Sequence, residues 1–104
     1  MQAKQKKFVV VDVSLQFQNA SFSCKAKIKD IDGTRNNLEK YLNGETGTIA
    51  LSKDLTIENA WDCEGVVITH KGSTLEYYEE WGNNRKVVKE FALELKDILD
   101  NFIL

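Results

Sequence analysis

The last stretch of the chain, from Asn84 to Leu104, constrains the fold more than any other, because its apolar residues follow a helical period and leave one side greasy. Val88, Phe91, Ala92, Leu95, Ile98, Leu99 and Phe102 recur at three- and four-residue steps, and at 100° per residue they form a stripe roughly 120° wide. Lys86, Lys89, Glu90, Lys96, Asp97 and Asp100 fall outside it. Such a helix spans about 30 Å, enough to cover a small sheet. Asn83 or Asn84 can serve as its N-cap. Arg85 and Lys86 in the first turn, and Asp97 and Asp100 towards the far end, oppose the helix dipole. Burial of six or seven apolar side chains, at about 1.5–3 kcal/mol for each large one, outweighs that opposition. The helix therefore requires a β layer to pack on. Leu93 lies on its polar back and reads either as a tolerated exposed leucine or as the contact for a second copy in a homodimer.

The strands that supply the layer are legible upstream. From Phe8 to Phe17 the chain alternates, with Val9, Val11, Val13, Leu15 and Phe17 on one face and Val10, Asp12, Ser14 and Gln16 on the other. From Ala20 to Ile31, Phe22, Cys24, Ala26 and Ile28 share one face, and Ser23, Lys25, Lys27 and Lys29 the other. A hairpin through Gln18-Asn19 sets Leu15 against Phe22, Val13 against Cys24, Val9 against Ile28 and Asp12 against Lys25; a four-residue loop, Gln18 to Ser21, also keeps the faces matched. Thr34 to Asn43 reads as a short helix with Thr34 as N-cap, Leu38 and Leu42 buried, and Gly44 as its stop. Thr48 to Leu51 reads as a strand, Lys53-Asp54 as a turn, and Leu55 to Trp61 as a further strand. Val66 to Trp81 reads as a second hairpin about Gly72-Ser73, pairing Ile68 with Tyr77, Val67 with Tyr78 and Thr69 with Glu76, with Tyr77 towards the core.

The expected architecture is a single α+β domain over residues 1–104, with 1–7 a loose basic leader. It has five or six mostly antiparallel strands in the order ββαββββα, covered by the C-terminal helix. The alternative is a half-barrel capped by that helix, which resembles pleckstrin-homology-like domains in element order. A chain of 104 residues with 42% hydrophobic and 29% charged content suits one such core. No apolar run approaches the 18 or so residues of a spanning helix, and the run after the basic leader is too short for a signal peptide, so no membrane association and a cytoplasmic location are expected. Cys24 and Cys63 are then expected as reduced thiols.

The chemistry-bearing residues are sparse. The run Asp30-Ile31-Asp32-Gly33-Thr34 resembles the first motif of the haloacid-dehalogenase-type phosphatases, which implies Asp30 as nucleophile and Asp32 as general acid. The likeness covers five residues, follows Lys27-Ile28-Lys29 instead of an apolar strand, and lacks the downstream lysine and acidic pair. An Asp/Gly turn closing the hairpin accounts for the same letters. His70 beside a turn, and Cys63 seven residues before it, give no local catalytic pair, and Cys24, Cys63 and His70 lack the spacing of a zinc site. No catalytic residues, metal or cofactor are expected, and the chain reads as no enzyme.

Charge is the stronger signal. The first 53 residues carry nine Lys/Arg against five Asp/Glu, and the remainder five against eleven. The favoured reading is a protein-binding module, an inhibitor or accessory factor, whose acidic surface of Glu76, Tyr78, Glu79, Glu80, Glu90 and Glu94 takes a basic protein partner. The alternative is a module for nucleic acid or another anionic ligand that uses the Lys25, Lys27 and Lys29 row. Lysines on a sheet edge also have a purely protective role against aggregation. Arg85 and Lys86 are expected to pair with Glu79 and Glu80.

Overall fold

The computed structural model describes residues 8–17, 20–60, 65–78 and 84–102. Alternation in the first hairpin produces β1 (Val9–Gln16) and β2 (Ser21–Ile28), paired antiparallel with Leu15 opposite Phe22, Val13 opposite Cys24, Asp12 opposite Lys25 and Val9 opposite Ile28. The Phe17 amide donates to the Ala20 carbonyl at 2.8 Å, closing the register of a two-residue connection. Gln18 and Asn19 themselves lie outside the described residues. Val11, Val13, Leu15 and Phe17 are buried, whereas Val10 on the opposite face is 51% exposed.

Helix α1 (Ile31–Leu42) starts earlier than its sequence pattern suggests. Asp30, not Thr34, is the N-cap, and its carboxylate accepts the Gly33 amide at 3.0 Å. An aspartate at the cap and Asp32 in the first turn both satisfy the positive helix end, so the Asp-x-Asp-Gly letters open a helix rather than end in a turn. Thr34 is buried instead. At the other end, the Gly44 amide donates to the Tyr41 carbonyl and the Glu45 amide to the Lys40 carbonyl, a Schellman closure that places Gly44 at φ +80°. The buried residues of this helix are Ile31, Thr34, Leu38 and Tyr41; Leu42 is only half-buried.

Four further strands, β3 (Thr48–Ser52), β4 (Leu55–Asn59), β5 (Val66–His70) and β6 (Ser73–Tyr77), form an antiparallel meander in chain order. The β5–β6 register departs by two residues from the expected one: Ile68 lies opposite Leu75, Val67 opposite Glu76 and Val66 opposite Tyr77. The turn is Lys71-Gly72, with φ of 52° and 85°, the signs of a type I′ turn. Register with β4 explains the shift. Leu55 pairs with His70, and the Lys71 amide donates to the Asp54 carbonyl at 2.9 Å, so β5 is held in sheet geometry up to the turn. A two-residue slip leaves each side chain on its face. Tyr77 accordingly still packs against the core, its ring 4.6 Å from that of Phe17.

The observed order is ββαββββα, an α+β fold of a two-stranded and a four-stranded antiparallel sheet with two helices. Helix α1 stands between β2 and β3, where a half-barrel would continue from strand to strand. The C-terminal helix α2 (Asn84–Asp100) packs on α1 and β1 and buries Val88, Phe91, Ala92, Leu95 and Leu99 in one core shared by both sheets. Ile98, expected in the stripe, is 49% exposed, and Leu93 is 52% exposed. Ile98 sits at the stripe's margin, over a shallow cleft between α2 and β1 bordered by Val10 and Glu94. No helix among the described residues is long and apolar enough to cross a membrane.

Candidate functional site: a lysine-lined groove between two strand edges

Neither sheet closes on the other. β2 and β3 approach each other, but no ladder joins them. Part of the reason is Asn37 of α1, whose Nδ2 donates to the Thr48 carbonyl at 2.9 Å and whose Oδ1 accepts the Ala50 amide at 2.8 Å. One side chain thus occupies two of the outward main-chain groups of β3, the Thr48 carbonyl and the Ala50 amide, that a neighbouring strand would otherwise take. Beside it lies a groove of 590 Å³, within the range of about 300–1,000 Å³ common for ligand sites.

The groove gathers residues far apart in sequence. Lys25, Lys27 and Lys29 come from β2 and the residue after it, Lys53 from the β3–β4 turn, and Lys71 from the β5–β6 turn. Against these five lysines stand Asp30 and Asp54 in the lining, and Asp12 beside Lys25. The Asp30 carboxylate is engaged in capping α1. Leu51, Leu55 and Ala26 form the apolar part of the lining, and His70 sits at one side with its ring edge-on to Phe22 at 5.5 Å. Two of the lysines are oriented by neighbours. Lys25 Nζ is 2.8 Å from Asp12 across the hairpin, which raises the pKa of its ammonium, and Lys27 Nζ lies 4.5 Å over the Phe8 ring. An exposed pair such as Lys25–Asp12 contributes little to stability; its effect is to fix where the ammonium stands.

The other expected site residues fall elsewhere. Glu76 is exposed on β6, and Glu90 and Glu94 are exposed on α2. Tyr78 is 48% exposed and its ring lies against Gly65, where it leaves no room for a Cβ. Glu79 and Glu80 lie outside the described residues, as do Asn83, Trp61, Cys63, Trp81 and the 1–7 leader. Arg85, expected to pair with Glu79 and Glu80, donates to the Ala60 and Gly65 carbonyls. It ties the start of α2 to the chain between β4 and β5. Asn84 is buried and donates to the Tyr77 carbonyl at 2.9 Å. Asp32 faces Arg35 at 3.2 Å, and Arg35 reaches Asp100 of α2 at the same distance. Cys24 is a free, half-buried thiol whose pKa burial pushes up, against the opposing field of Lys71. Among the described residues no group of three His, Cys, Asp or Glu side chains could hold a metal ion.

Sequence reasoning named the Lys25, Lys27 and Lys29 row but missed Lys53, Lys71, His70 and Asn37. Lys53 and Lys71 carry no local signal beyond membership of turns; only the meander brings those two turns to the edge of β2. Comparison with protein-family models, curated proteins and solved structures returns no match.

Proposed function

We propose that the protein is a binding module for an anionic ligand, taken in the groove between β2 and β3. The observation that carries this is the convergence of five lysines from three separate segments on one concavity whose lining has two carboxylates. Asp12 already offsets Lys25, and an anion in the groove supplies a counter-charge to the other lysines. The apolar floor of Leu51, Leu55 and Ala26 lowers the local dielectric and strengthens each charge contact. The ligand is held through ammonium–anion pairs, with His70 and Asn37 at the groove's margin. The chain as a whole is nonetheless slightly negative, at −2, with 16 Asp/Glu against 14 Lys/Arg.

A protein of negative net charge is retained on an anionic matrix only through a local positive field, which here the groove and the basic residues 1–7 can each supply. Retention on heparin at low salt is expected, and it should fall sharply in the triple variant Lys25→Glu, Lys27→Glu, Lys53→Glu, in which residues 1–7 are unchanged. Lys89→Glu, exposed on α2 away from the groove, should leave retention near the parent value. Absence of retention in the parent protein, or an equal loss in both variants, refutes the groove as the site.

A further inference from the structure

Resting on that reading, we infer that the groove's ligand is an extended polypeptide segment in which acidic and apolar residues alternate, and that it adds as a strand to the open edge of β2. Three observations carry this. The first is the state of the β2 main chain. Because Phe17 and Ala20 form a hydrogen-bonded pair, alternation along the antiparallel ladder makes Leu15–Phe22, Val13–Cys24 and Val11–Ala26 the bonded pairs. The amides and carbonyls of Lys25 and Lys27 then point away from β1, towards the groove. β1 is the one ladder partner of β2 among the described residues.

The second is the contrast across the groove. Asn37 already engages the β3 groups at Thr48 and Ala50. One bank is therefore stitched to a helix while the other presents main-chain donors and acceptors at strand spacing, the arrangement strand addition uses. The third is the placement of side chains. Lys25 and Lys27 stand on one face of β2, and Ala26 on the other, next to Leu51 and Leu55. A strand laid beside β2 alternates its side chains between those two faces, so acidic residues on one face meet the lysines while residues on the other turn to the core side, where the buried Ala26, Leu51 and Leu55 favour apolar neighbours. The same lysines exclude a second copy of β2, which would bring lysine against lysine. A nucleic acid would use the lysines but not the main-chain edge, and the one aromatic residue in the lining that could stack on a base, His70, is packed edge-on to Phe22.

The test uses the full chain and a soluble labelled peptide in which glutamate and valine alternate over about seven positions. Its comparators are an isomer with the same residues in two blocks, the alternating peptide with every second amide N-methylated, and a single-stranded oligonucleotide of equal charge. The alternating peptide is expected to bind at least tenfold more tightly than the other three. Its binding should protect the Lys25 and Lys27 amides from hydrogen exchange and should fall at least tenfold in the Lys25→Glu, Lys27→Glu variant. Equal binding of both peptide isomers, indifference to N-methylation, or tighter lysine-dependent binding of the oligonucleotide overturns strand addition while leaving an anion-binding groove. Failure of every polyanion to bind overturns both.

Discussion

Replacing Asn37 with alanine tests how the four-stranded sheet ends, and its cost can be worked from the geometry. The Thr48 carbonyl loses a partly buried donor at 2.9 Å, and the Ala50 amide loses an acceptor at 2.8 Å on an exposed stretch. The first loss costs about 1.5 kcal/mol, since water reaches that carbonyl poorly, and the second about 0.5 kcal/mol, since water can replace the acceptor. Alanine in mid-helix returns about 0.5 kcal/mol through its higher propensity. The net loss is about 1.5 kcal/mol, which for a domain of this size lowers Tm by about 6–12 °C. Urea denaturation should show a lower midpoint at unchanged m, and native-state hydrogen exchange a faster Ala50 amide. Asn36→Ala, exposed one residue earlier on the same helix, is the control and should be neutral or slightly stabilising. If the Asn37 variant melts with the control and Ala50 keeps its protection, the side chain does not hold the β3 edge, and the account of the groove's closed bank fails.

Two further substitutions probe the turn and the core. Lys71 holds a positive φ of 52° ahead of Gly72, so Lys71→Asn, which creates an Asn-Gly turn, should raise stability by up to about 1 kcal/mol. Because it also removes a groove lysine, retention on heparin should weaken in the same variant, and a lower Tm would refute the turn argument. Tyr41 donates to Asn59 Oδ1 at 2.9 Å, and burial pushes its phenol pKa up. A folded-state pKa above the ordinary value near about 10 means the contribution is complete below that value and lost as pH rises through the folded one. Tyr41→Phe should therefore cost about 1 kcal/mol at neutral pH, with the gap to the parent closing in alkali. A gap that stays constant through the alkaline range would refute it.

The first hairpin was readable in existence and facing, but alternation left a two-residue and a four-residue connection open; the structure takes the two-residue one, which buries Val11, Val13, Leu15, Phe22 and Ile28 together. The second was readable in existence and facing but not in register. Glycine followed by serine suits a type II′ turn as well as lysine followed by glycine suits type I′, and both keep Tyr77 inward. What decided between them was the pairing of β5 with β4 through Leu55–His70 and the Asp54 carbonyl, a contact no local window contains. Helix α1 was found but began too late, since Asp and Gly signal turns and caps alike. The lysine row of β2 was visible; the two turn lysines and Asn37 that complete the groove were not.

The adverse charges of α2 show the same division. Local rules place Arg85 and Lys86 at the wrong end, and the stripe of Val88, Phe91, Ala92, Leu95 and Leu99 overrides them through burial. The structure adds partners that the local sequence does not reveal: the Ala60 and Gly65 carbonyls accept from Arg85, while Lys96 at 2.9 Å and Arg35 at 3.2 Å draw Asp100 below the usual carboxylate range. By itself the sequence determined the elements, their order and the faces they bury, because periodicity is a local property set by 3.6 and 2 residues per repeat. Only the tertiary structure decided the registers, the partners of Arg85 and Asp100, and the meeting of Lys53 and Lys71 with the edge of β2, because each depends on where distant segments come to rest.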